Sequence, residues 1–209
     1  MHAKAVVAIM MTLYMAGSGP ANFDFTTLDT KGAPKGWELK RKDGKPETFL
    51  TEDSGLKAFC MKSDNSSFSI QRRMLVDVKE YPVIRWRWKV TELPANGDLR
   101  LKESDDQAAQ LFVAFGRKSV VYVWDTNAPV GTVVKSGLPI MASRIMVVES
   151  GSKKAGRWVT ETRDLREDYK TLYGEYPKLA EGIRFQINSQ HTRSKAGSCI
   201  ESVEFRKGA

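Results

Sequence analysis

The segment from Tyr81 to Val90, with the sequence YPVIRWRWKV, constrains the fold more than any other part of the chain. From Ile84 onward every second residue is apolar and the residues between them are basic, which is the pattern of a β-strand with one buried face. Trp86 and Trp88 share the apolar face, and a tryptophan side chain buries about 200 Å². We therefore predict that these two residues fill the middle of the core.

Short apolar segments recur along the rest of the chain, separated by clusters of turn-forming residues such as Asp53-Ser54-Gly55 and Asp64-Asn65-Ser66. Short strands punctuated in this way favour an antiparallel sandwich over β-α-β units. Besides the tryptophan strand, we predict strands over residues 47–51, 56–62, 68–74, 109–115, 120–124, 144–149, 157–164, 182–188 and 200–205.

One helix is predicted over residues 165–173, where Leu165, Tyr169 and Leu172 recur at helical spacing. Asp164 suits the N-cap position, and Gly174 follows where a C-terminal cap belongs. The predicted fold class is therefore all-β, an antiparallel β-sandwich of jelly-roll type with one short helix.

The first 21 residues predict a secretory signal peptide. A short polar start with Lys4 precedes an apolar run from Ala5 to Ala16, and small residues follow up to Ala21. The run is too short to span a bilayer, and no membrane span is expected once the signal is removed. Residues 22–209 are then expected to form a single β-sandwich domain in the periplasm or outside the cell; a buried N-terminal strand or helix of a cytosolic protein is the alternative.

The chain is basic, with 33 Lys and Arg against 25 Asp and Glu and a formal net charge of +8. Such a charge favours acidic partners, including polyanionic glycans, although a solvated basic surface without a specific partner is the alternative. Basic and acidic residues are interspersed, and the sequence has no zinc-finger spacing, heptads or aromatic nucleic-acid motif, so no nucleic-acid partner is predicted. No phosphate loop, dinucleotide fingerprint or nucleophile elbow is present, and no cofactor is predicted.

Asp105, Asp106 and His191 are the weak candidates for catalysis. Paired carboxylates suit acid and base chemistry, but neighbours in a strand point to opposite faces, and a solvated loop or an ion pair with Arg85 or Arg87 is the alternative. His191 is the only histidine beyond the predicted signal, which excludes a zinc site of several histidines, and no metal site is predicted. An exposed loop residue is the alternative for His191.

Cys60 and Cys199 are the two cysteines, one in an early predicted strand and one at the start of the last. Export would permit a disulfide between them. Two buried free thiols are the alternative, because the sequence gives neither distance nor orientation.

A ligand-binding face follows if Trp86, Leu111, Val121 and Phe185 point into the core. Aromatic rings beside guanidinium and amide groups hold sugar rings by stacking and bidentate hydrogen bonding. If a loop or the helix covers this face, its aromatic residues are ordinary packing. The predicted binding residues are Arg85, Arg87, Gln110, Tyr122, Trp124 and Asn188, with Phe112 and Gln186 beside them.

Several motifs follow one another along the chain: Trp86-Arg87-Trp88-Lys89-Val90, Asp105-Asp106-Gln107-Ala108-Ala109, Tyr122-Val123-Trp124, Asn127-Ala128-Pro129-Val130-Gly131-Thr132, Glu149-Ser150-Gly151, Gly156-Arg157-Trp158-Val159 and Asp168-Tyr169. In this order they resemble the DUF3047 family of uncharacterised, exported bacterial proteins. The resemblance covers about Phe23 to Phe205 and implies an exported β-sandwich without an established activity. The chain departs from the family's pattern after the penultimate strand, where residues 188–193 lack the acidic residues usual there.

Together these observations predict an exported, non-catalytic module that binds an acidic or neutral polysaccharide. One alternative is a polysaccharide lyase or hydrolase that uses Tyr122, His191 and one of the two aspartates as acid and base. A protein-interaction domain of the cell envelope is the other alternative.

Overall fold

Two β-sheets pack face to face in the protein, which is represented here by a computed structural model that describes residues 23–53, 55–136 and 142–208. The strands are β1 (Glu38–Asp43), β2 (Glu47–Asp53), β3 (Leu56–Asp64), β4 (Ser67–Asp77), β5 (Val83–Glu92), β6 (Ala109–Phe115), β7 (Lys118–Asp125), β8 (Val133–Ser136), β9 (Ala142–Ser150), β10 (Val159–Asp164), β11 (Leu179–Asn188) and β12 (Lys195–Arg206). A short 3₁₀ helix covers Lys102–Ser104, and one α-helix, α1, covers Leu165–Tyr173.

The described strands form a seven-stranded sheet of order β1-β4-β11-β6-β7-β9-β8 and a five-stranded sheet of order β10-β5-β12-β3-β2. Neighbouring strands are antiparallel except β7 and β9, which run parallel. The predicted all-β sandwich of jelly-roll type with one short helix is confirmed. Strands β1 and β8, which the sequence analysis missed, are short outer strands of the larger sheet.

The core lies between the sheets and is centred on β5. Trp86 and Trp88 are buried as predicted, with 0% and 1% of their surface exposed. Trp86 stacks on Tyr122 of β7 in the opposite sheet, at 5.0 Å between ring centroids, and Trp88 lies 6.2 Å from Trp124. Aromatic side chains from both sheets therefore meet along the centre of the sandwich.

Strand β7 is buried on both faces, and the predicted phase of this strand is wrong. Tyr122 and Trp124 point into the core, whereas Val121 and Val123 lie on the outer face of the sheet, under Leu99. The physical reason is that a covering layer of loops buries the outer face of β7, so both of its faces are apolar. Alternation of valine with aromatic residues therefore does not show which face is the core.

The covering layer is tied down by Asp125, at the end of β7. Its carboxylate is fully buried and accepts hydrogen bonds from the backbone N–H groups of Leu99, Asn127 and Ala128, at 3.0, 2.9 and 2.7 Å. One aspartate thereby fixes two loops over the outer face of β7. These two anchored loops bury the outer face of β7.

Helix α1 begins and ends as predicted. The Asp164 side chain accepts a hydrogen bond from the Glu167 N–H, and Gly174 adopts the left-handed conformation at the C-cap, with φ of 80°. Leu165 and Tyr169 are the buried apolar residues that fix the helix on the sandwich.

Cys60 and Cys199 form a disulfide between the neighbouring strands β3 and β12, where they are directly paired in register. The bond lies on the outer face of the five-stranded sheet, packed against the partly buried Phe49 and Trp158. Of the two alternatives that the sequence left open, the structure has the disulfide.

The predicted signal peptide, residues 1–21, lies outside the described residues, and export stays a prediction. Among the described residues, no helix combines the length and the apolar character that crossing a bilayer requires.

We expect Trp88→Ala to lower the free energy of unfolding by about 3–5 kcal/mol, because it leaves a cavity beside Trp86 and Trp124. Urea denaturation measures this loss. Trp158→Ala, which removes a partly buried tryptophan from the outer face of the same five-stranded sheet, is the matched control and should cost clearly less. A loss below about 1 kcal/mol for Trp88→Ala would contradict its position in the core.

We expect the double variant Cys60→Ala, Cys199→Ala to lose about 3–5 kcal/mol of unfolding free energy, because the disulfide joins residues 139 positions apart and constrains the unfolded chain. Denaturation with and without reductant checks this, since reductant should destabilise the native sequence and leave the double variant unchanged. Equal stability of both proteins under oxidising conditions would contradict the expectation.

Candidate functional site

The outer face of the seven-stranded sheet has two halves. Over β7 and β9 it is apolar and covered by Leu99 and Ala128. Over β1, β4, β11 and β6 it carries polar side chains in two rows, which the strand register aligns. One row is Glu38, Gln71, Arg184 and Phe112, and the next is Lys40, Ser69, Gln186 and Gln110.

A cleft of about 600 Å³ lies on the polar half, and we call it the basic cleft. Four of its side chains are cationic and one, Glu38, is a carboxylate. The small residues Ala114 and Gly182, paired in register, form part of its floor. The lining residues are Gly36, Trp37, Glu38, Lys40, Gln71, Arg72, Arg73, Phe112, Ala114, Gly182, Ile183 and Arg184.

Arg184 is fixed in the cleft by its neighbour in the sheet. The guanidinium carbon lies 4.5 Å from the centroid of the Phe112 ring, in a cation–π contact. Burial lowers the pKa of Arg184, although an arginine stays charged at any physiological pH. Within the described part of the chain, no carboxylate pairs with it. The cleft thus presents a half-buried, positioned cation.

Glu38 lies at the rim and is already engaged. Its carboxylate pairs with Lys40 and accepts a hydrogen bond of 3.3 Å from the Gln71 amide. The hydrogen bond from Lys40 holds the pKa of Glu38 below its ordinary value. Glu38 is therefore ionised at neutral pH.

Three of the predicted site residues meet in a hydrogen-bonded cluster farther along the same face. The buried Asn188 amide group donates to Asp106 Oδ1 at 2.9 Å and accepts from the Gln110 amide at 2.5 Å. Asp106 is fully buried and also accepts from the Thr192 N–H and hydroxyl, at 2.7 and 2.8 Å. The cluster joins the β11–β12 connection to the start of β6.

His191 and Asp105 lie at the edge of this cluster. His191 is partly exposed, and its Nδ1 lies 3.1 Å from the carbonyl oxygen of Asp105 and 3.5 Å from Asp106 Oδ1. Burial raises the pKa of the Asp105 carboxyl, which accepts a hydrogen bond of 2.9 Å from the Gln107 amide. The alternative of an ion pair between these aspartates and Arg85 or Arg87 is wrong, because Arg85 pairs with Glu204 and Arg87 lies over Trp158.

The remaining predicted binding residues do not share this face. Arg85 and Arg87 lie on the outer face of the five-stranded sheet, and Tyr122 and Trp124 lie between the sheets. The Tyr122 hydroxyl donates to the buried Asp168 at 2.7 Å, and burial together with that charge raises the pKa of Tyr122 well above its ordinary value. The predicted single face of all six residues is therefore wrong: only Gln110 and Asn188 lie on the face that carries the cleft.

Arg184, Gln71 and Arg73 line the cleft, but the sequence analysis did not select them. Their signal is weak, because strand β4 carries Gln71, Arg72 and Arg73 in succession and so loses the alternation that marks a strand face. Arg184 does alternate with Ile183 and Phe185, in phase with the selected Gln186. Extending that phase toward the start of β11 would have found it.

Two glutamates lie together at the open edge of the sandwich, where β10 faces β9. Glu161 is paired in register with the core residue Trp86, so its side chain points between the sheets toward Glu149. Burial, and then the charge of Glu149, raise the pKa of Glu161 to about 7. Glu149 is itself paired with Lys154. Neither glutamate is among the residues that line the cleft.

The fold and the site define a β-sandwich of jelly-roll type with a basic cleft on the open half of its larger sheet. The chain belongs to the DUF3047 family, described as "Protein of unknown function", whose model matches residues 35–204. None of the curated proteins compared with the chain matches it.

Solved structures with a similar fold include several glucanases. The endo-1,4-β-glucanase CelB2 has a TM-score of 0.52 at 11% identity, over 90% of this chain and 97% of that one. The xyloglucanase domain of the type three effector NopAA from Sinorhizobium fredii, in complex with cellobiose, has a TM-score of 0.51 at 9% identity, over 90% and 97%. The endoglucanase Cel12A from Rhodothermus marinus has a TM-score of 0.51 at 10% identity, over 90% and 96%. At these identities the likeness concerns the fold.

The glutamate pair predicts a pH dependence of stability. The pKa of Glu161 is raised to about 7 in the folded protein, from an ordinary value of 4.5, so the folded state holds a proton that the unfolded chain releases. Stability is therefore lost as the pH rises from about 4.5 through 7. We expect Glu161→Gln to match the native protein at pH 4 and to exceed its unfolding free energy by about 3 kcal/mol at pH 8.

Urea denaturation of both proteins at the two pH values measures this difference. The exposed Glu103→Gln removes the same charge without the partner and should leave the pH dependence unchanged. Parallel pH profiles for Glu161→Gln and the native protein would contradict the raised pKa.

Proposed function

We propose that the protein binds polysaccharide chains in the basic cleft and does not cleave them there. The observation that carries the proposal is the row of Gln71, Arg184 and Phe112, in which an amide, a guanidinium and an aromatic ring lie side by side on an open sheet face. Planar polar groups and aromatic rings bind sugar hydroxyls and sugar faces. The cleft volume is within the range of ligand sites.

The carboxylates of the cleft support binding over hydrolysis. Cleavage of a glycosidic bond commonly needs two carboxyl groups on opposite sides of the bond, one of them protonated. Among the residues that line the cleft, Glu38 alone carries a carboxyl group, and its pairing with Lys40 keeps it ionised. Glu149 and Glu161 are not among the residues that line the cleft.

The similar solved structures support a glycan as the ligand, because proteins with this fold act on glycans. Their names describe glucanases, and one of them is in complex with cellobiose. The transfer of that chemistry to this chain is part of the proposal. An exported protein, as the N-terminal residues predict, would meet such polymers outside the cytoplasm.

A second candidate function, a polysaccharide-cleaving enzyme, is favoured by the Asp106 cluster. A fully buried carboxylate lies 3.5 Å from the imidazole of His191, which is partly exposed, and such an arrangement orients a general base. The cluster lies on the same sheet face as the cleft. A product assay on every bound polymer, repeated with His191→Ala, separates the two functions.

We expect Gly182→Leu to weaken polysaccharide binding at least tenfold, because a leucine side chain would fill the cleft floor between Arg73 and Ala114. The fold should tolerate it: a β-carbon at Gly182 would meet no atom closer than 3.6 Å. A glycan array identifies the bound polymers, and titration calorimetry compares the variant with the native protein on each of them.

Trp158→Ala, which removes an aromatic side chain from the opposite sheet, is the control and should bind normally. Undiminished binding by Gly182→Leu would place the site elsewhere. An array without any bound polysaccharide would overturn the proposed function, and release of reducing or unsaturated ends that His191→Ala abolishes would favour the enzyme.

A further inference from the structure

We infer that the basic cleft selects acidic polysaccharides, and that Arg184 is the residue that binds the carboxylate of a uronic acid unit. This inference rests on the proposed function and narrows it to one class of ligand. Neutral and acidic sugars both stack on aromatic rings, so the Phe112 ring does not distinguish them. The charge and the position of the cleft residues do.

The first observation is that Arg184 lacks the carboxylate partner that Arg85 and Arg163 have, although it lines the cleft. Arg85 pairs with Glu204 at 2.9 Å, and Arg163 binds Asp168 through its Nε at 2.8 Å. Arg184 has no carboxylate partner in the described ranges, and its guanidinium lies over the Phe112 ring in a cation–π contact. A half-buried charge without a counterion is costly, and the ring offsets only part of that cost. An anion in the cleft would remove the rest of it.

The second observation is the charge of the surrounding lining. Arg73 is paired in register with Gly182, two residues before Arg184, so the two guanidinium groups start from positions about 7 Å apart along the sheet. Arg72 adds a further positive charge to the cleft lining. Glu38 is occupied by Lys40, and Glu181 belongs to the neighbouring depression beyond Arg73. The field in the cleft therefore favours an anion.

The chemistry of the guanidinium favours a carboxylate over a sulfate ester. A carboxylate is planar, and its two oxygens match the two parallel N–H groups of an arginine fork. The Arg184 guanidinium lies over the Phe112 ring and lines the cleft, where its N–H groups can meet a ligand. We therefore commit to a uronate as the ligand, and the sulfated polymer is an arm of the test.

The experiment compares uronate polymers with forms of them that lack the carboxylate charge and with a sulfated polymer. Polygalacturonate and alginate are titrated into the native protein beside their carboxyl-esterified forms and dextran sulfate, at low and at physiological salt. We expect at least one uronate polymer to bind at least tenfold more tightly than its esterified form. Dextran sulfate should bind more weakly than that uronate polymer.

Variants assign the selectivity to the residue. Arg184→Met should lower the affinity for the uronate polymer to that for its esterified form, and Arg184→Lys should retain only part of the selectivity, because it keeps the charge but loses the fork. The exposed Arg73→Gln, which does not disturb packing, should weaken uronate binding severalfold. Arg87→Gln removes one positive charge from the opposite sheet and should have no effect.

The outcomes separate the inference from the proposed function. Equal binding of uronate and esterified polymers, with Gly182→Leu losing both, overturns the inference and leaves the proposed function standing. Full uronate selectivity in a folded Arg184→Met and in Arg73→Gln also overturns it. Tighter binding of dextran sulfate contradicts the choice of a carboxylate, and an absence of binding to every polymer overturns the proposed function itself.

Discussion

The packing of β5 against β7 is the interaction on which the rest of the sandwich depends. Two tryptophans of β5 meet Tyr122 and Trp124 of β7 across the gap between the sheets. Rings of this size bury more area than any other side chains and set the spacing of the two sheets. Because β6 pairs with β7, and β11 with β6, this contact also fixes the direction in which Phe112 and Arg184 point. The cleft is thus a consequence of how the core packs.

The two halves of the larger sheet show how a single sheet supplies both structure and a site. Where Asp125 holds two loops over β7, the outer face becomes a second small core around Val121 and Val123. Where those loops stop, the same face carries amides and guanidinium groups in place of valines. An antiparallel sheet tolerates this division because each strand needs only one apolar face.

The sequence predicted the elements whose two faces differ in polarity. In β5, arginine and lysine alternate with tryptophan, and the buried face was assigned correctly; in α1, Asp164 and Gly174 marked both ends. In β7 both faces are apolar, and the burial of Tyr122 depends on loops and on a partner, Asp168, that are distant in sequence. Local alternation does not contain that information.

The site residues were likewise predicted in part. Gln110, Asn188, Asp106 and His191 were selected for their residue types, and the structure brings them together through the pairing of β6 with β11 and the connection that follows β11. Arg184 follows the same alternation as Gln186, but its residue type alone does not distinguish it from the other arginines of the chain. The absence of a carboxylate neighbour among the described residues is a property of the folded chain, which no residue pattern records.

The positions of β11 and β12 determine when this chain can fold as it is synthesised. These strands are the last two that the structure describes, yet β11 lies inside the larger sheet between β4 and β6, and β12 lies at the middle of the smaller one. Each sheet therefore lacks an interior strand until residues 179–206 have been synthesised. Pairing over such separations is slow to form. Until then the earlier strands have unpaired edges. Cys60 remains a free thiol until β12 pairs with β3 and brings Cys199 beside it.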